Sequence, residues 1–105
     1  LNREDGRAVS AGGSLMIEQL NRRKGGIVPK HSDPNGQITY ILEGVVRFRL
    51  GEGESQLVDV AGGEVLTIPA HVPHTAEALE DTLDVDVFSP PREDWLDGSD
   101  AYLRG

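Results

Sequence analysis

Gly44-Val45-Val46-Arg47-Phe48-Arg49-Leu50-Gly51 is the stretch whose reading decides the fold. From Val46 onward it alternates strictly, so Val46, Phe48 and Leu50 share one face and Arg47 and Arg49 the other. That is the period-two pattern of a strand with one dry side and one wet side. Glycine brackets the stretch at both ends and punctuates the rest of the chain at Gly12-Gly13, Gly25-Gly26, Gly36, Gly53 and Gly62-Gly63, among 13 glycines in 105 residues. Between these turns lie eight short β-rich runs, at residues 14–21, 26–29, 37–42, 45–50, 55–60, 64–68, 74–79 and 82–88. Short strands at this spacing predict an all-β sandwich or barrel. Glu43-Gly44 reads as a hairpin turn and residues 51–53 as the next. Pro90-Pro91 ends the last strand, because proline donates nothing to a ladder, and the one helical expectation is a turn near residues 93–96.

A chain of 105 residues buries roughly two-thirds of its unfolded surface, enough for one core and not two. The expectation is a single domain over residues 1–105, with a barrel core at about 14–90 and a C-terminal extension at 91–105. With no Cys there is no disulfide framework, thiolate zinc site or Cys nucleophile, so any metal must sit on imidazole, carboxylate or amide. The same absence points to a reducing, cytoplasmic setting. Polar residues interrupt each apolar run far short of the roughly 20 residues that span a bilayer, and no signal-like N-terminus is visible, so no membrane partner is expected. Because the chain begins at Leu1 rather than Met, a short preceding leader or tag is expected. Ten Lys and Arg against 18 Asp and Glu give a formal charge of −8, which opposes nucleic-acid binding. The charge is uneven: +3 over residues 1–50 and −11 over residues 51–105. The plain account is a solvated acidic surface, and the cluster Arg22-Arg23-Lys24 reads as a solvated loop, with an anion-attracting rim as the alternative.

The three histidines, His31, His71 and His74, each lie near a proline in a loop or at a strand edge. In His31-Ser32-Asp33-Pro34-Asn35-Gly36-Gln37, positions 31 and 33 share a face if the segment is extended, and Gln37 opens the next strand after a tight Pro-Asn-Gly turn. Pro69-Ala70-His71-Val72-Pro73 is a stiff turn that delivers His74 to the start of a strand. His31, Asp33, Gln37 and His74 are therefore candidate ligands for one divalent ion. Spacing alone leaves open that they are capping or surface groups, and His71 is better read as a surface residue.

Gly63, five residues, Pro69-x-His71, two residues and His74 resemble the second cupin motif, Gly-x5-Pro-x-Gly-x2-His. Gly25, five residues, His31-x-Asp33-x3-Gln37 and then Gly44 resemble the first, Gly-x5-His-x-His-x3,4-Glu-x6-Gly. The two occur in the right order with only residues 45–62 between them. Asp33 replaces the second His, Gln37 the usual Glu, His71 a Gly, and Ala78 the motif's final Asn. Two imidazoles, a carboxylate and an amide carry the same net charge as three His and one Glu, and suit Mn, Fe, Ni or Zn without choosing among them.

A narrower resemblance, from about residue 14 to residue 96, is to the small cupins of the pectin-degradation type, the KdgF type. It rests on residues 31–44, 68–74 and 78–96. Cupins of that type use a Gln in the first motif and a terminal Asp-x-Phe-x3-Arg, which here reads Asp86, Phe88 and Arg92. The resemblance implies a double-stranded β-helix (jelly-roll) barrel, homodimeric, with the metal on His31, Asp33, Gln37 and His74. It implies linearisation of the 4,5-unsaturated uronates released by pectin and alginate lyases, an anionic sugar small enough for a small barrel. In this reading Asp86 moves the proton, Arg92 clamps the uronate carboxylate, and Phe88 forms a wall against the sugar ring.

Two accounts of the last strand predict opposite burial. By pattern alone, Leu83, Val85 and Val87 go inside and Asp84 and Asp86 face water. The catalytic reading needs the reverse, with Asp86 and Phe88 in the lumen and the aliphatic residues packed outward against a second subunit or sheet. In exposed water Arg92 would be a surface partner of Glu93 or Asp94, worth little. The alternatives to a uronate enzyme are a non-catalytic cupin that binds metal or a small ligand as a sensor or store, and another metal-dependent cupin isomerase or dioxygenase.

Overall fold

The computed structural model describes residues 6–12 and 15–89. Nine strands run through these residues: β1 (Gly6–Gly12), β2 (Leu15–Arg22), β3 (Ile27–His31), β4 (Gly36–Glu43), β5 (Val45–Leu50), β6 (Gln56–Ala61), β7 (Val65–Ile68), β8 (His74–Ala78) and β9 (Thr82–Ser89). They form two antiparallel sheets, one in the order β1-β2-β9-β4-β7 and the other β3-β8-β5-β6. This is the jelly-roll expected from the sequence. The expected helical turn near residues 93–96 lies outside the described residues, as do Arg92 and the rest of the C-terminal extension.

The deciding stretch behaves as its alternation dictates. On β5, Val46, Phe48 and Leu50 are buried, whereas Arg47 meets Asp59 of β6 with two hydrogen bonds, of 2.8 and 3.0 Å, on the wet side. The three apolar side chains join Val28, Val60 and Ala76 of the same sheet and Ile41 and Ile68 of the other in one core. Fully burying one of the larger aliphatic or aromatic members contributes about 1.5–3 kcal/mol relative to leaving it in water.

Three expectations are corrected. Strand β1 was not foreseen: Gly6-Arg7-Ala8-Val9-Ser10-Ala11-Gly12 contains one large apolar residue, yet its backbone pairs with β2 from Gly6↔Asn21 to Gly12↔Leu15, so the sheet begins ahead of residue 14. Glu43-Gly44 is not a hairpin, because β4 and β5 belong to different sheets; Gly44 carries the chain across the sandwich edge, with φ of +94°. The hairpin at residues 51–53 is present and joins β5 to β6.

The third correction concerns β9. Thr82, Asp84, Asp86 and Phe88 are buried and Leu83, Val85 and Val87 are only partly so, which overturns the pattern-based expectation of aliphatic residues inside. β9 is central in its sheet, between β2 and β4, so its outer aliphatic row is continued by neighbours. Ile17, Val87 and Ile38 form one cross-strand row and Gln19, Val85, Tyr40 and Val65 the next, with no charged side chain in either. Apolar residues thus coat the outside of this sheet while carboxyls line its inside.

A Cβ on Gly44 would overlap the Thr82 hydroxyl oxygen and lie 2.5 Å from the Asp81 carbonyl oxygen and 2.8 Å from Thr82 Cα. Gly51, with φ of +93°, has nothing within 4 Å of the same position. Left-handed backbone costs a residue with a side chain about 1–2 kcal/mol, and forced overlap about 1–3 more. Gly44→Ala should therefore lower stability by about 2–5 kcal/mol and Gly51→Ala by only about 1–2, read from urea unfolding midpoints; equal losses would contradict the close packing assigned to Gly44.

Candidate metal centre

β3 ends on His31 and β8 begins on His74, and the two residues face each other in the ladder. Their rings lie 4.3 Å apart between centroids, tilted by 56°. His31 Nδ1 is 2.9 Å from the Pro29 carbonyl oxygen and His74 Nδ1 is 3.0 Å from the Val72 carbonyl oxygen. A carbonyl only accepts, so each Nδ1 must carry the hydrogen and donate it. In the neutral ring the lone pair is then on Nε2, and this is how protein scaffolds orient imidazoles toward a metal. The stiff turn expected before His74 supplies the second carbonyl.

Asp33 arrives on the loop between β3 and β4. Its Oδ2 lies 3.5 Å from His31 Nε2, and His31, Asp33 and His74 each place a ligand atom within 4.8 Å of the others. The loop is held in place by its counterpart: the His71 backbone N–H donates to the Asp33 carbonyl oxygen at 2.6 Å. His71 itself is exposed, with φ of +68°. That left-handed backbone accounts for glycine being usual at this place in the motif, and the residue stands outside the cluster as expected. Two ring nitrogens with their tautomers fixed and one buried carboxylate form a donor set that fits a divalent ion of the Mn-to-Zn series.

Gln37 stands on the opposite sheet, at the start of β4, buried, with its side-chain Nε2 donating to Thr39 Oγ1 at 2.7 Å. Thr39 in turn donates to Asp86 Oδ1 at 2.8 Å. Asp86 and Phe88 point into the same interior and are 3% and 1% exposed. Burial first, then the proximity of Asp84 and a hydrogen bond with it, push the Asp86 carboxyl well above its ordinary range, against a smaller opposing pull from Arg22. Asp86 is thus a carboxyl in a dry site that holds its proton more tightly than an ordinary aspartate.

Four residues of this network were not singled out from the sequence as site residues. Thr39 and Glu18 flank Asp86 in one cross-strand row, Glu18 on β2 and Thr39 on β4. Asp84 lies below Asp86 on the same face, and Arg22, read as part of a solvated loop, instead turns inward so that its Nε donates to Asp84 Oδ2 at 3.2 Å. The available signal was the run of acids at alternate positions 84 and 86 together with Glu18 among apolar residues of the first long strand. Arg92, the expected carboxylate clamp, lies outside the described residues.

Residues 21–89 match the family model described as the cupin domain. The chain belongs to the cupin family. Among solved structures, this cupin is similar to KdgF from Halomonas sp., at 28% identity over 85% of this chain and 81% of that one, with a TM-score of 0.77. It is similar in fold to an RmlC-like cupin from Shewanella frigidimarina, at 24% identity over 90% of this chain and 84% of that one, TM-score 0.78. It also shares its fold with an oxalate decarboxylase of Bacillus subtilis, at 18% identity over 86% of this chain and 26% of that one, TM-score 0.74. No curated protein matches the chain.

The state of Asp86 in this cupin has a measurable consequence for stability. A carboxyl whose folded value is raised stabilises the fold fully below its unfolded value, near 3.8, and loses that contribution as pH climbs through the folded value. Asp86→Asn mimics the protonated acid and does not titrate. Its stability relative to the unaltered chain should rise with pH above about 4, by at most about 1.4 kcal/mol per pH unit, in urea unfolding at a series of pH values. A difference independent of pH would contradict the upward shift at Asp86.

Proposed function

We propose that this cupin converts cyclic 4,5-unsaturated uronates, the products of pectin and alginate lyases, to their linear keto form. The observation that carries the reading is Asp86, a carboxyl buried on the same strand face as Phe88, joined through Thr39 to Gln37, with its proton affinity raised by burial. The likeness to KdgF supports it, with the Asp86-x-Phe88-x3-Arg92 pattern in place.

The chemistry asks for little beyond such a group. The anomeric hydroxyl gives up its proton, the ring carbon–oxygen bond breaks, the former ring oxygen becomes the keto oxygen, and a proton is returned to the alkene carbon. No atom is lost and nothing is oxidised. A divalent ion on His31, Asp33, Gln37 and His74 would supply Lewis-acid polarisation of the sugar oxygens when bound. Asp86 delivers its proton to the alkene carbon and recovers one from the hydroxyl; Thr39, donating to Oδ1, fixes the orientation of the carboxyl as it does so. Arg92 binds the uronate carboxylate in the bidentate geometry its fork allows, and Phe88 presents an apolar wall that keeps water from the acid.

Freshly released unsaturated uronate loses its conjugated-alkene ultraviolet absorbance on conversion, so the reaction is read directly against the spontaneous rate. Metal-loaded protein should accelerate the loss. Asp86→Asn should slow the enzyme by about 10²–10⁴-fold, and Arg92→Ala should raise KM, with both variants folded by circular dichroism. Absence of acceleration by metal-loaded protein would overturn the proposal and leave a ligand-binding cupin; full activity in either variant would remove that residue's role.

A further inference from the structure

The polarity of one hydroxyl decides what Gln37 presents. Thr39 is fully buried on β4, two residues from Gln37 on the same strand face, and opposite Asp86 in the ladder. Its Oγ1 lies 2.8 Å from Asp86 Oδ1 and 2.7 Å from Gln37 Nε2. A threonine hydroxyl has a single hydrogen. With that hydrogen given to Asp86, the oxygen accepts from its other neighbour, and the only end of a glutamine amide that donates is the NH₂.

The consequence falls on the far end of the amide. A carboxamide has an oxygen that ligates cations and a nitrogen that, with its lone pair delocalised and two N–H groups in place, repels them. Turned over, Gln37 would offer donors where a cation needs an acceptor. Glutamate would be indifferent to such a turn, having oxygen at both ends, so a glutamine in a ligand position needs a neighbour that fixes its orientation.

We propose that Thr39 is the positioning residue of the cation site: by donating to Asp86 and accepting from Gln37, it holds the Gln37 amide with its carbonyl oxygen, not its nitrogen, available to an ion on His31, Asp33 and His74. This rests on the reading of Gln37 as a ligand. It also links the ion to the acid through one side chain, so that the ligand and the proton carrier are set by the same hydrogen-bond chain.

Equilibrium titration of the full-length chain with Co²⁺, followed by the visible absorbance of the bound ion, tests it without any assay of turnover. The unaltered chain binds one ion. Thr39→Val, close in shape but without the hydroxyl, should weaken binding about 10–100-fold, the usual effect of removing a group that orients a ligand. Thr39→Ser, which keeps the hydroxyl, should restore affinity to near that of the unaltered chain. In a Gln37→Glu background, Thr39→Val should change affinity little, because a carboxylate has no wrong end; if valine packs poorly, Thr39→Ala gives the same comparison. No Co²⁺ binding by the unaltered chain overturns the metal site and this inference with it. Binding that is normal in Thr39→Val and Thr39→Ala, or weakened equally in the Gln37→Glu background, overturns the role of Thr39 and leaves the site intact.

Discussion

The contact between His31 and His74 across the β3–β8 ladder is the constraint on which the candidate site depends. It joins two stretches of chain more than forty residues apart at the point where one strand ends and the other begins. Each ring is aimed by the carbonyl of a residue two positions earlier, so neither imidazole relies on a distant partner for its tautomer. The 2.6 Å hydrogen bond from the His71 N–H to the Asp33 carbonyl holds together the two loops that bring the ligands in. The left-handed backbone at His71 belongs to that same turn.

The interior behind this cluster is built against the ordinary preference of a sheet. Carboxyls of Glu18, Asp84 and Asp86 are almost wholly buried on the inside of the five-stranded sheet, and aliphatic residues of β2, β4 and β9 lie on its outside. Buried ionisable groups cost stability unless they are neutral, paired or hydrogen-bonded. Here burial and Asp84 raise the proton affinity of Asp86, which accepts from Thr39, and Asp84 receives Arg22. The apolar core of Val46, Phe48, Leu50, Ile41 and their neighbours fills another part of the same sandwich and stabilises the whole. Stability and chemistry are thus divided within one small interior.

Most of the strands were legible because glycine marks their ends and β5 alternates cleanly. The histidine loops were legible because proline and glycine fix where the chain turns, and the cluster of His31, Asp33 and His74 follows from that. The direction of β9 was not legible from its pattern. Asp84 and Asp86 alternate with valines as they would on any half-wet strand, and only the pairing with Glu18 and Thr39 on either side makes their face the interior. Gly44 shows a related limit: a turn between two strands looks the same whether the strands pair or part company into different sheets. Strand β1 was not legible because its small residues give no periodic signal, nor was the inward turn of Arg22, because its two basic neighbours make the segment look like a solvated loop.

The central claim is that a divalent ion binds between the two loops through the Nε2 atoms of His31 and His74. Anomalous diffraction from crystals grown with Ni²⁺ or Zn²⁺ measures this directly. The account predicts one strong peak about 2.0–2.2 Å from both Nε2 atoms and from an Asp33 oxygen. A peak on the Nδ1 side of either ring, or no peak at this place while the ion binds elsewhere, would contradict it.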